Sequence, residues 1–233
     1  MIFETRVKKI IERTHDVKSF RFPRPEALSY KAGQFLFVTL KHEGKELKKH
    51  FSFSSSPTEK QQIEFTKKLS DSEYSAALKS LKEGDWALID APYGQFTFEG
   101  EHERICLLAG GIGITPFISI CKCCTDLKIP SKITLLYGNK TESDIAFREE
   151  LDELMTQNPN LKVVHTLNEP PKDWKGQTGF VTDDIVRQEV PEYNNTIFYI
   201  CGPVPMVQAM ENMLGKMGIP KTQQKVEYFT GYE

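Results

Sequence analysis

Two patterns of apolar and polar positions divide the chain. Up to about residue 99, apolar positions alternate with polar ones over short stretches: loosely over 3–11, more strictly over 17–22, and strongly over 34–40. Further short strands are expected over 50–54, 62–66, 86–90 and 96–98. Turn signals at Lys31-Ala32-Gly33, Gly84-Asp85 and Pro92-Tyr93-Gly94 separate several of them. A single helix, over 73–81, interrupts the series. Many short strands with one helix predict a closed or nearly closed antiparallel barrel over residues 1–99. From residue 100 to 233 the pattern changes. Strands expected over 104–108, 133–137, 162–166, 196–200 and 225–229 alternate with helices near 114–127, 144–157, 182–188 and 203–217. That alternation predicts a doubly wound α/β domain on a parallel sheet, with ligands at the carboxyl ends of its strands. The boundary near 99–104 is charged and short.

Three turns follow predicted strands and so gather at that edge. Gly110-Gly111-Ile112-Gly113-Ile114-Thr115-Pro116 links the apolar run Ile105-Cys106-Leu107-Leu108-Ala109 to a helix opening at Phe117-Ile118-Ser119-Ile120. A strand turning on glycines into a helix brings backbone N–H groups and the positive helix end close to a phosphate. Glycine turns also join strands to helices for steric reasons alone, so this loop is a candidate rather than a proof. Tyr137-Gly138-Asn139 and Cys201-Gly202-Pro203 are the other two turns.

Composition narrows the class. The chain has 233 residues, of which 39% are hydrophobic and 27% charged, which fits a globular protein rather than a disordered one. A net charge of −2 gives no electrostatic reason to expect nucleic acid or an anionic membrane as partner. The longest uncharged run, 105–121, is broken by glycines and a proline and is short for a bilayer span. Glu4, Arg6 and Lys8 interrupt any early apolar core, so no signal peptide is read and a cytoplasmic location is expected. Cys106, Cys121, Cys123, Cys124 and Cys201 show no paired metal spacing, and no metal site is predicted. Cys121 and Cys124 lie one helical turn apart. They read as small buried packing residues, with a redox or metal role as the alternative.

Lys49-His50-Phe51-Ser52, followed by Phe53-Ser54-Ser55-Ser56-Pro57, sits on and just beyond a barrel strand. By alternation Lys49 and Phe51 share one strand face and Ser52 takes the other. With the second half of the chain, this stretch resembles the flavin-binding signature of the ferredoxin–NADP reductase-like superfamily, closest in pattern to its NADH-cytochrome b5 reductase and oxygenase-reductase branch. The resemblance runs on through Ser72-Glu73-Tyr74-Ser75, Pro92-Tyr93-Gly94-Gln95-Phe96, the glycine loop, Tyr137-Gly138-Asn139-Lys140, Cys201-Gly202-Pro203 and Glu227-Tyr228-Phe229. Single pieces are common, whereas their order and spacing are specific. Three departures stand out. Lys49 and Phe51 replace the usual arginine and tyrosine, and Ser72 stands where glycine is frequent. Lysine keeps a charge but loses the bidentate fork, and phenylalanine keeps a ring face but loses a hydroxyl.

The resemblance implies a Greek-key flavin barrel with one capping helix, FAD as cofactor and NADH as donor, with NADPH as the alternative. It implies Ser52, Cys201 and Glu227 as catalytic groups: Ser52 at flavin N5, Cys201 near nicotinamide C4, and Glu227 close by. Phe51 would pack on the flavin ring, and Lys49 with Ser75 would hold its phosphates. Phe65, Thr66 and Lys67 would contact the middle of the cofactor, largely through backbone. Gly111, Gly113 and Thr115 would cradle the dinucleotide pyrophosphate beside Pro116. Asn139 and Lys140 would lie toward the adenosine, with Gly202, Pro203 and Met206 beside Cys201. Phe229, or else Tyr232, would stack on the open flavin face. The acidic Glu169 and the scarcity of cations near the adenosine favour NADH. The implied reaction takes hydride from NAD(P)H and passes single electrons to a protein acceptor, a ferredoxin or a cytochrome. Lysines 45, 48, 49, 67 and 68 either dock that carrier or form a solvated face. The rival readings are a reductase of free flavin and a non-enzymatic flavin-holding subunit of a larger redox complex.

Overall fold

The computed structural model describes residues 1–230. Strands β1 (Ile2–Arg6) and β2 (Lys9–Glu12) are one stretch of chain that changes sheets at Val7-Lys8. Strand β1 lies at the edge of a four-stranded antiparallel sheet with β4 (Phe35–His42), β5 (Lys45–Ser52) and β7 (Trp86–Tyr93), in the order β1-β7-β4-β5. Strand β2 joins β3 (Val17–Pro23) and β6 (Gln62–Lys68) in the order β2-β3-β6. Just past β5, Phe53 bridges to Phe65 of β6. These two crossings curl the sheets around one apolar core. At its centre the fully buried Phe65 ring stacks on Phe51 at 4.5 Å and on Phe20 at 5.1 Å. Helix α1 (Glu73–Ser80) starts where the Ser72 side chain accepts the Ser75 N–H, and is pinned by the Tyr74 hydroxyl donating to the Val38 carbonyl.

The second half is a six-stranded parallel sheet. In chain order its strands are β8 (Arg104–Gly110), β9 (Lys132–Asn139), β10 (Leu161–Leu167), β11 (Gln177–Thr178), β12 (Ile197–Pro203) and β13 (Gln224–Phe229). Their spatial order is β11-β10-β9-β8-β12-β13. Strands β8 and β12 are buried over five consecutive residues each, as strands covered on both faces must be. Helices α2 (Thr115–Asp126) and α3 (Arg148–Gln157) cover one face. Helices α4 (Asp183–Glu189) and α5 (Val204–Lys216) cover the other. The chain winds outward from β8 to β11 and returns to the opposite side of β8 with β12. The topological switch therefore falls between β8 and β12, where such sheets open a ligand crevice.

Three expectations are corrected. Residues 96–98 form no strand: Phe96 and Phe98 instead plug into the core of the second half, edge-on to Tyr199, with Phe96 also tilted on Phe117. Strand β5 begins at Lys45, five residues before the alternation becomes visible, because its first half is a charged, exposed sheet edge. Helix α3 begins at Arg148 rather than 144: a one-turn helix at Glu142–Asp144 is closed off by a capping box with Thr141, and Phe147 then turns left-handed at φ +62°. Among the described residues, no helix is long and apolar enough to cross a membrane.

Candidate active site

Two cavities open where the barrel meets the carboxyl edge of the parallel sheet. The first, about 260 Å³, is walled on the barrel side by Lys49, Phe51, Ser52, Thr66 and Lys67, and on the other by Thr115, Glu227 and Phe229. The second, about 440 Å³, runs along the strand ends past Gly111, Gly138, Asn139, Lys140, Thr166 and Pro203. Ser70 and Ile112 line both, so the cavities meet along a shared wall.

Ser52 and Glu227 face each other at the bottom of the barrel-side cleft. Burial pushes the Glu227 carboxyl up to about 7, opposed by a hydrogen bond from the Ser52 hydroxyl. Glu227 is paired in register with Cys201, whose thiol reaches to 4.0 Å from its carboxylate. The Cys201 thiol itself is fully buried, and burial holds it well above the ordinary thiol range. Burial and the nearby Glu227 carboxylate both favour its protonated form.

Lys67 is a buried cation in the same cleft. Burial first, and the charge of Lys49 second, push its ammonium down to about 8. Two cations at one mouth, beside the Ser72 hydroxyl that begins α1, suit a phosphate that would relieve their repulsion. The sheet-side crevice shows the complementary fit. The Asn139 side-chain carbonyl and the Thr166 hydroxyl are buried there with no hydrogen-bond partner among the described residues, while the Asn139 amide lies by the Tyr137 hydroxyl. Gly111 sits at φ +49° with nothing near the position of a Cβ, leaving its backbone open to the crevice. Buried polar groups with nothing to bond are costly, and a polar ligand laid along the strand ends would satisfy them.

Several predicted site residues lie elsewhere than expected. The Phe65 ring is wholly in the barrel core, beneath Phe51. Phe51 shows only 8% of its surface, with its ring stacked on Phe65, although it lines the cleft. Ser75 is buried inside a serine cluster, where its hydroxyl meets those of Ser70 at 3.1 Å and Ser72 at 3.0 Å; the hydroxyl that lines the cleft belongs to Ser72. Gly113, expected to help cradle a pyrophosphate, is held tight against β12. A Cβ there would stand 2.1 Å from the Cys201 carbonyl oxygen, so it is the glycine that lets the loop press against β12. Thr115 lines the barrel-side cleft and not the crevice, and Pro116 is buried in the first turn of α2. Gly202 packs under the Met206 sulfur, while Pro203 and Met206 line the crevice. Phe229 lines the barrel-side cleft. Tyr232, its alternative, lies outside the described residues.

Ser70 was passed over by sequence reading, and Ser72 and Thr166 were read only as a departure from glycine and as the end of a strand, not as groups lining the cavities. The serine three residues before Ser75 was a readable N-cap signal. Thr166 carried no local signal, since only the parallel register brings it beside Gly138.

Fold and site together define a two-domain flavin and nicotinamide oxidoreductase of the ferredoxin–NADP reductase-like fold. Residues 4–98 match the oxidoreductase FAD-binding domain family and residues 107–212 the oxidoreductase NAD-binding domain family. The chain is 33% identical over 225 residues to NADH-cytochrome b5 reductase 1 of Dictyostelium discoideum, covering 93% of this chain and 77% of that protein. It is 30% identical to NADH-cytochrome b5 reductase 1 of Homo sapiens, covering 90% and 81%. Among solved structures, the cytochrome b5 reductase domain of Ulva prolifera nitrate reductase superposes with a TM-score of 0.87 at 26% identity, over 97% of each chain. The chain belongs to the NADH-cytochrome b5 reductase family, and is an FAD- and NAD(P)H-dependent reductase.

Proposed function

We propose that this reductase draws on NADH and delivers electrons one at a time to a small protein carrier of the cytochrome b5 type. The observation that carries the reading is the Ser52–Glu227 pair in the barrel-side cleft, backed by the buried Cys201 thiol, with that cleft sharing a wall with the crevice. When bound, FAD supplies the conversion between a two-electron donor and a one-electron acceptor. The chain's own residues supply position and charge. Lys49 and Lys67 would hold the flavin phosphates, and Ser52 would present its hydroxyl to the reacting edge of the ring. Glu227, close to half ionised at neutral pH, would favour the positively charged oxidised nicotinamide as it forms. Asn139, Thr166 and the Gly111 backbone would hold the dinucleotide. Phe180, 73% exposed at the crevice mouth, offers a face to adenine.

NADH is favoured over NADPH because Lys140, a cation lining the adenosine end of the crevice, is engaged by Glu169 at 3.5 Å. A 2′-phosphate there would meet that carboxylate as well. Lys45, Lys48 and Lys49 stand exposed along the edge strand β5 beside the flavin cleft, a charge pattern suited to an acidic carrier. The names of the relatives favour a cytochrome over a ferredoxin as that carrier. The test is steady-state reduction of cytochrome b5 and of a [2Fe–2S] ferredoxin by NADH at rising salt. The reading expects faster turnover with the cytochrome, falling with ionic strength. Equal or faster turnover with the ferredoxin would reject it. Free flavin as substrate is the competing reading, favoured by Lys49 and Phe51 at the signature positions. Retention of FAD through gel filtration separates the two.

A further inference from the structure

Arg13, on the barrel just beyond β2, is almost fully enclosed, with 11% of its side chain exposed. Each of its three nitrogens is committed. Nε donates to the Ser19 hydroxyl at 2.8 Å, and Nη2 to the buried carboxylate of Glu64 at 3.2 Å. Nη1 reaches across to Glu150 on α3 of the other domain. The guanidinium also lies 4.4 Å over the ring of Phe147, the residue held left-handed at the start of α3. Glu150 is further held by Lys122 of α2 at 2.6 Å. Burial opposes its ionisation, but Lys122 and then Arg13 bring the carboxyl below its ordinary range, so it is a firm anion.

On the barrel side the same group runs to the flavin cleft. Ser19 meets the Thr66 hydroxyl at 2.6 Å, and Ser54 meets it at 2.8 Å while donating to Glu64 at 2.9 Å. Arg21 donates to the same Glu64 oxygen as Arg13, at 2.6 Å. Thr66 is a wall of the cleft. Two hydrogen bonds therefore separate the inter-domain ion pair from the cleft wall, without passing through any residue assigned above to catalysis.

We propose that Arg13 and Glu150 are positioning residues: a buried clamp that locks the nicotinamide domain onto the barrel and, through Ser19 and Thr66, sets how the two cavities face each other. Transfer between two stacked rings is sensitive to small displacements, so a clamp at the domain junction controls rate without touching either ligand. The fork geometry of arginine matters here, since its three nitrogens each reach a different acceptor, whereas a lysine ammonium concentrates its donors at one point. The proposal rests on the reading that nicotinamide reduces flavin in this chain.

The test uses the FAD-loaded full chain with Glu150→Gln, Arg13→Gln and the double variant. Glu150→Gln leaves Arg13 paired with Glu64, so the barrel keeps its buried charge balanced and decides the matter even where Arg13→Gln folds poorly. Stopped-flow flavin reduction by NADH should slow about tenfold in each single variant, with KM for NADH little changed. The double variant should be no slower than the worse single one, as members of one unit are not additive. Reduction by dithionite should stay at the wild-type rate. Amide hydrogen exchange, read without NADH, should rise at 54–58 and 147–151 in both variants. Wild-type rates with wild-type protection would overturn the proposal. So would slowed reduction with unchanged exchange, which would place the effect in local chemistry. A wild-type chain that neither NADH nor NADPH reduces would sink the functional reading instead, while the exchange data would still judge the clamp.

Discussion

The barrel-side cleft and the sheet-side crevice share a wall but solve opposite problems. In the cleft, polar side chains already hold one another: Ser52 on Glu227, Ser54 on Thr66, and Ser70, Ser72 and Ser75 in one cluster. Charge is concentrated there in Lys49 and Lys67. In the crevice, the Asn139 side-chain carbonyl and the Thr166 hydroxyl are buried with no partner among the described residues, and Gly111 leaves its backbone open. A preorganised, charged cleft suits a ligand that stays. A crevice whose groups await partners suits one that arrives, is held by what it satisfies, and leaves.

The contrast breaks most completely where the two regions touch. Gly113→Ala would drive a Cβ into the Cys201 carbonyl, a backbone atom with no flexible end to yield. Destabilisation of about 3 kcal/mol or more is expected, measured by urea unfolding. An unchanged midpoint would show that the β8 and β12 ends can spread apart.

Ser52→Ala should keep the flavin and slow its reduction by NADH about tenfold to a hundredfold, the size of a lost donor at a reacting centre. The rate should rise with pH through about 7 as Glu227 ionises. Glu227→Gln should flatten that rise. A wild-type rate in Ser52→Ala would remove the hydroxyl from the mechanism.

Lys67→Met sharpens the resident side of the comparison. Loss of one charge-assisted contact should weaken FAD binding about tenfold, read by fluorescence titration of the apoprotein. The pH sign follows from the depressed ammonium. Burial and Lys49 bring the Lys67 ammonium down to about 8 in the flavin-free protein, and a bound phosphate favours the charged form, so binding takes up a proton. Wild-type affinity should therefore fall as pH rises above about 8, and the variant should show no such fall.

The smallest effect belongs to the crevice. Thr166→Val removes an unpartnered buried hydroxyl at equal volume, so stability should hold or rise by up to about 1 kcal/mol. KM for NADH should rise a few-fold with kcat unchanged. A clear loss of stability would mean that the hydroxyl is satisfied within the free protein.

Much of this was legible in the chain. Unbroken apolar runs such as 105–109 announce strands covered on both faces, and glycines after them announce the crevice. The barrel was harder. The first half of β5 carries charges at successive positions because a sheet edge imposes no alternation. Phe96 and Phe98 alternate like a strand because two rings, and not a ladder, pin that segment to the second core. Ser75 was preferred to Ser72 because spacing cannot say which hydroxyl of a helix turn faces inward. Least legible was Arg13, whose partner Glu150 lies 137 positions away; it reads locally as an ordinary polar residue after a strand.

The central claim is that the two cavities form one site in which nicotinamide faces flavin. Anaerobic titration of the FAD-loaded protein with NADH, followed at the visible flavin band, tests it most directly. Bleaching complete at one equivalent of NADH is predicted, with NADPH far slower. A flavin band untouched by either nucleotide would contradict the account.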